Sequence, residues 1–142
     1  MDTLSTFLGT NFVAILTLNE KNFEETIKNN DMIIVDFWAP WCGPCRSFAP
    51  TFESTSEKYP DVVFGKLNTD EERTLAGHFN IRSIPTLMIF REQIIIFSQA
   101  GSLGASAFEE VIEKAQGLDM NVVREEMAKQ QQPEQSQQAA NA

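Results

Sequence analysis

Apolar positions along the chain change their period in a regular way. Val13-Ala14-Ile15-Leu16-Thr17-Leu18 reads as a strand, and Asn19 is placed to cap a helix in which Phe23 and Ile27 share a face at i, i+4. Met32-Ile33-Ile34-Val35-Asp36-Phe37-Trp38 is nearly continuous in apolar residues, the pattern of a central strand buried on both faces. After Ala39-Pro40 the period becomes helical: Phe48, Phe52, Thr55 and Tyr59 form one stripe, and Pro50 is expected to kink that helix. Residues 62–68 form the next strand, 70–79 a short helix, and 86–90 and 94–98 two strands joined by a tight turn. Over 105–116, Phe108, Val111, Ile112 and Ala115 fall inward, and Gly117 closes the helix. The order is βαβαβαββα. Strands alternating with helices imply parallel pairing, and the last two strands imply an antiparallel hairpin. The expected fold is therefore α/β, a central mixed five-stranded sheet flanked by helices on both faces.

The two ends differ from this block. Residues 1–12 are a lead-in with no clear period. Asp119 can cap a short helix over 118–129 with Met120, Val123 and Met127 on one face, either a docking stripe for a partner or a face packed on its own domain. The Gln-rich tail over 130–142 has no large apolar residue and is expected to be disordered. The core domain thus runs over 13–117.

Composition narrows the function. At 142 residues the chain is one ordinary domain with appendages. A net charge of -9 without a basic patch argues against nucleic-acid binding and for a solvated acidic surface. No apolar run approaches the roughly 20 residues needed to span a bilayer. The opening Met1-Asp2-Thr3-Leu4-Ser5 lacks the positive segment of a secretory signal. A cytoplasmic monomer is expected, in a compartment that keeps thiols reduced.

The chain has only two cysteines, Cys42 and Cys45. They are too few for a disulfide scaffold, and a structural zinc site would need four ligands where His78 is the one other strong soft-metal ligand. Dithiol chemistry needs a thiolate accessible to a substrate sulfur and a second thiol near enough to resolve the intermediate. Two residues between the cysteines, at the start of a helix, meet those demands: the first thiol lies at the helix N-terminus, where the dipole favours negative charge, and the second lies one turn in and more covered. Pro44 suits a first turn because its missing N–H would be unpaired there. Cys42 is read as the nucleophile and Cys45 as the resolving thiol; a metal half-site or a chance pair is the alternative. Asp36 interrupts an apolar strand, and its burial would raise its pKa and make it a proton acceptor, unless nearby hydroxyls or N–H groups satisfy it. Lys66, alone in its strand, either modulates that carboxylate or snorkels to water.

Val35-Asp36-Phe37-Trp38-Ala39-Pro40-Trp41-Cys42-Gly43-Pro44-Cys45 resembles the active-site signature of the thioredoxin family, and residues 13–117 are similar to it in element order. The agreement extends to Lys66-Leu67-Asn68, to Ile81-Arg82-Ser83-Ile84-Pro85-Thr86 and to Gly101. The resemblance implies a protein-disulfide reductase acting through a reversible Cys42–Cys45 disulfide, with no bound cofactor. Its electrons would come from NADPH through a separate flavoprotein, thioredoxin reductase, and its partners would be that reductase and proteins carrying disulfides. The resemblance also implies a cis Pro85 facing the cysteines. Around Cys42 it implies a substrate-binding surface of Trp41, Gly43, Pro44, Ile84, Pro85 and Gly101, with the Ile84 backbone pairing to an extended substrate segment. Read by themselves, Trp41 can equally be a loop aromatic and Pro85 an ordinary trans turn proline. The hairpin at Arg91-Glu92-Gln93 lacks the family's usual glycine, and the extension after Gly117 has no counterpart in a minimal member. Two rivals are a more oxidising isomerase and a binding or chaperone subunit that uses the fold without its thiols.

Overall fold

The computed structural model describes residues 15–141; the lead-in over 1–12 and the first two positions of the strand expected at 13–18 lie outside the described residues. The strands are β1 (Leu16–Thr17), β2 (Met32–Trp38), β3 (Val63–Asn68), β4 (Thr86–Arg91) and β5 (Ile94–Ala100). The helices are α1 (Phe23–Asn29), α2 (Gly43–Lys58), α3 (Arg73–His78), α4 (Ala105–Gln116) and α5 (Met120–Asn141). The five strands form one sheet in the order β1-β3-β2-β4-β5. β1 and β2 run parallel to β3, whereas β4 runs antiparallel to β2 and β5. The mixed sheet expected from the element order is the one observed.

Side-chain alternation along β2 splits the core in two. Met32 and Ile34 point toward α2 and α4, where Phe48, Phe52, Phe64 and Phe108 cluster. Ile33, Val35 and Phe37 point toward α1 and α3, against Phe23, Ile27, Met88 and Phe90. A strand buried on both faces needs a near-continuous apolar run, and the one residue that breaks this run is Asp36. By the same alternation Asp36 shares the face of Ile34, beneath the helix that carries Cys45. In register it lies between Lys66 of β3 and Leu87 of β4.

Several boundaries differ from the sequence expectation for local reasons. α1 begins at Phe23 because Asn19 caps a turn ahead of it: its Oδ1 accepts the N–H groups of Lys21 and Asn22 at 2.9 and 3.0 Å. α3 is shorter than 70–79 because Asn68 Oδ1 accepts the Asp70 N–H at 2.9 Å and draws that stretch into an Asx turn. Gly117 ends α4 in a right-handed conformation, φ -85°, rather than a left-handed cap. The open carbonyls there are taken by Arg91, whose Nη1 donates to Ala115, Gln116 and Leu118 at 2.9, 3.1 and 2.8 Å. α5 runs as one helix where the sequence predicts a short helix followed by a disordered tail, in keeping with the helix-forming Gln, Glu, Ala and Met that fill it. Of its expected stripe, Met120 is buried, Val123 half-buried and Met127 exposed, so the stripe starts on the domain and leaves it.

Candidate active site

β2 ends at Trp38, and the chain passes through Ala39-Pro40-Trp41 to Cys42, which caps α2. Cys42 has extended backbone angles, φ -85° and ψ 113°, and its Sγ accepts the Cys45 N–H at 3.2 Å. That is the geometry of an N-cap, with sulfur in the place usually held by a Ser or Asp oxygen. It puts the sulfur on the positive end of a 16-residue helix, where a thiolate gains from both the hydrogen bond and the dipole. Cys42 and Cys45 form a disulfide with their Cα atoms 5.2 Å apart, within the ordinary range for such bonds.

The contrast in exposure expected between the two cysteines is absent: both are buried, Cys42 at 4% and Cys45 at 2%. Cys42 is covered because the loop before β4 packs on it, with the Ile84 carbonyl oxygen 3.7 Å from its Sγ. What separates the two thiols is their position on α2, one at the cap and one inside the first turn.

The Ile84–Pro85 peptide bond is cis. Pro85 is buried, Ile84 half-buried, and the Pro85 carbonyl accepts the Gly101 N–H at 2.8 Å. Gly101 holds φ +96°, a conformation that a Cβ would strain although the space beside it is open. The structure therefore brings Cys42, Cys45, Ile84, Pro85 and Gly101 into one contiguous patch. Gly43 and Pro44 sit in the first turn of α2 between the cysteines, half-buried and exposed respectively. Trp41 is 67% exposed, and its Nε1 donates to Asp70 at 2.9 Å. Asp70 was not legible as a site residue. Its only local signal is the Asn68 turn, which presents it beside β2 once β2 and β3 are known to be neighbours. Arg46 likewise ties the site loop, its Nη1 donating to the Pro40 carbonyl at 2.9 Å.

Asp36 is fully buried, and neither carboxylate oxygen has a hydrogen-bond partner among the described residues. The alternative that nearby hydroxyls or N–H groups satisfy it does not hold. Desolvation pushes its pKa up from 3.8 to about 7, with the Lys66 charge pulling in the opposite direction. Lys66 is half-buried, and its Nζ lies 4.5 Å over the ring of Trp38, which holds the ammonium beside the carboxylate without bonding to it. Among the described residues, no group of three or more His, Cys, Asp or Glu is placed to hold a metal ion. No helix among them is long and apolar enough to cross a membrane.

Comparison with known proteins agrees with this geometry. The family model described as Thioredoxin matches residues 14–114. A putative thioredoxin 2 of Streptomyces coelicolor is 48% identical over 118 residues, covering 83% of this chain and 88% of that protein. A thioredoxin of Porphyra purpurea is 38% identical over 104 residues, 72% of this chain and 97% of its own length. Among solved structures, a mutant thioredoxin from Halobacterium salinarum superposes with a TM-score of 0.70 at 28% identity, covering 75% of this chain and 95% of that one. Plasmodium falciparum thioredoxin gives 0.66 at 34% identity, covering 70% and 98%.

Proposed function

The chain belongs to the thioredoxin family and is a thiol–disulfide oxidoreductase that reduces protein disulfides; from that premise we propose how its residues divide the reaction. The Cys42 thiolate attacks one sulfur of a partner's disulfide, forming a mixed disulfide and releasing the partner's other sulfur as a thiolate. Cys45 loses its proton to Asp36 and attacks Cys42 Sγ. That step forms the Cys42–Cys45 disulfide and frees the second partner sulfur, so two electrons pass to the partner. The sulfur at the cap of α2, accepting the Cys45 N–H, carries this reading, because the same contact stabilises a thiolate in the reduced state.

The remaining roles follow from position. Asp36 is suited to take a proton near neutral pH because burial holds its pKa close to 7. Lys66 tunes it by charge. Trp41, Gly43, Pro44, Ile84, Pro85 and Gly101 receive the partner, whose extended segment pairs with the Ile84 backbone. The chain itself binds no cofactor in this cycle. Members of the family act on disulfide substrates and are reduced by thioredoxin reductase; here the electrons come from NADPH through such a reductase. We place the cycle in the cytoplasm, where a disulfide reductant meets a compartment that keeps thiols reduced.

A reductase-coupled insulin assay tests this directly. Cys42→Ser is expected to bring insulin reduction down to the uncatalysed rate. Cys45→Ser is expected to accumulate mixed disulfides on Cys42, visible by mass spectrometry and released by dithiothreitol. Turnover surviving in Cys42→Ser would sink the assignment of the nucleophile.

A further inference from the structure

The chain reaches the cysteine pair through Ala39-Pro40-Trp41, a loop that belongs to neither β2 nor α2. Backbone donors hold its start. The Trp38 carbonyl accepts the Thr69 N–H at 2.8 Å, and the Ala39 carbonyl accepts the Cys42 N–H at 3.2 Å. The Pro40 carbonyl is different: no backbone N–H among the described residues reaches it. A carbonyl leading into a helix ordinarily takes the N–H four residues on, and here that residue is Pro44, which has none. Left to water, the carbonyl would let the Pro40–Trp41 peptide turn about its two flanking dihedrals.

Arg46 supplies the missing donor. It stands four residues after Cys42 on the same face of α2. A helical side chain leans toward the helix N-terminus, which carries the guanidinium back to the loop. Its Nη1 donates to the Pro40 carbonyl at 2.9 Å. No carboxylate among the described residues is in salt-bridge range of Arg46, so its charge is not spent on an ion pair there. The Trp41 indole is held from the other side by Asp70 at 2.9 Å, in the turn that Asn68 closes. Two fixed points, one in the backbone before Trp41 and one on its ring, set the direction of a side chain that is 67% exposed.

We propose that Arg46 is a positioning residue for disulfide exchange: by holding the Pro40 carbonyl it fixes the face that Trp41 presents to a partner protein beside Cys42. This rests on the reading of Trp41 as part of the partner-binding surface. A loop ordered in advance lowers the cost of ordering it on binding, so Arg46 acts on how well a partner is held and not on the exchange step.

Insulin reduction with the reductase in excess tests this, with KM and kcat for insulin resolved separately. Arg46→Met keeps an apolar stem and removes the donors at an exposed position, where a substitution leaves the fold in place. Its KM is expected to rise about five-fold, the worth of one hydrogen bond, with kcat unchanged. In a Trp41→Ala background, where KM is already raised, Arg46→Met is expected to add nothing, because it acts through Trp41. A wild-type KM in Arg46→Met overturns the proposal, as does a fall in kcat alone. An equal rise in KM with and without Trp41 also overturns it, since Arg46 would then meet the partner directly. A wild-type KM in Trp41→Ala is a separate failure: it removes the docking role of Trp41 and takes the proposal with it.

Discussion

Asp36 and Arg91 lie on neighbouring central strands and are treated in opposite ways. Asp36, near the cysteine end of β2, is fully buried with neither oxygen hydrogen-bonded. Arg91, at the far end of β4 opposite Met32, has three carbonyls within 3.1 Å of Nη1 and the Asp31 carboxylate 3.4 Å from Nε. An unsatisfied buried carboxylate costs free energy, and a well-bonded guanidinium at a helix C-terminus returns some. The fold thus leaves a buried carboxylate unbonded at the cysteine end, where the proposed proton transfer would take place, and concentrates bonding where α4 ends. Most polar groups in a core are satisfied, so an orphaned one beside the cysteine pair is a candidate for the proposed proton transfer, while a saturated one is a candidate for support.

The sharpest way to break this contrast is at Asp36. Its folded pKa of about 7 lies above the unfolded value of about 3.8. The native state therefore holds a proton that the unfolded state has lost, and stability falls as pH rises between the two values. The linkage amounts to on the order of 4 kcal/mol, fully present as a deficit above pH 7 and absent below pH 4. Asp36→Asn is expected to flatten that slope and to be the more stable protein at pH 8, as followed by urea denaturation across the range. Its rate of mixed-disulfide resolution should lose the inflection near pH 7. A wild-type slope retained in Asp36→Asn would show that another group carries it.

Arg91→Leu probes the other member of the pair. It removes the donors from the open carbonyls at the end of α4 while keeping an apolar stem, with an expected loss of about 3 kcal/mol in unfolding free energy. Hydrogen exchange should rise at the α4–α5 junction, and kcat/KM for insulin reduction should stay near wild type. A change within about 0.5 kcal/mol would mean that these short contacts add little to support.

How far the sequence disclosed these features depends on whether their cause is local. Cys42 and Cys45 were legible because spacing, a preceding buried strand and a helix start all lie within one stretch. Asp36 was legible because a carboxylate in an apolar strand is out of pattern. The register that puts Lys66 beside it was not, since it depends on β2 and β3 being neighbours. That Ile84, 42 positions away, lies against Cys42 was legible only through the family resemblance, and that it buries the sulfur was not legible at all. Arg91 gave no signal at all: an Arg at a strand end looks like any solvated side chain until α4 ends beside it. Gly65 was equally silent, although a Cβ there would lie 2.6 Å from Leu18 Cδ1 across the β1–β3 pairing. Leu18 is 1% exposed and has little room to move, so Gly65→Ala is expected to cost about 2 kcal/mol in a thermal or urea melt. An unchanged midpoint would mean that the short edge strand yields to the methyl group.

The smallest expected effect decides whether strain at the support end serves anything. The hairpin after Arg91 turns through Glu92 and Gln93, with φ of 51° and 70°, the left-handed pair that favours Asn-Gly. An L-residue held there costs about 1–2 kcal/mol, and the missing glycine noted in the sequence is thus a real departure at this turn. Glu92 offsets its share by pairing with Arg124 of α5, whereas Gln93 is exposed and makes no side-chain hydrogen bond among those described. Gln93→Gly relieves the backbone but loosens the unfolded chain, which offsets part of the gain. The net expectation is a stabilisation of about 0.5–1 kcal/mol, read as a higher urea midpoint at constant m. If insulin reduction is unchanged at the same time, strain at this end is incidental, unlike the orphaned carboxylate of Asp36. If reduction slows, the hairpin end communicates with the cysteines, and the division between a reactive end and a supporting end fails.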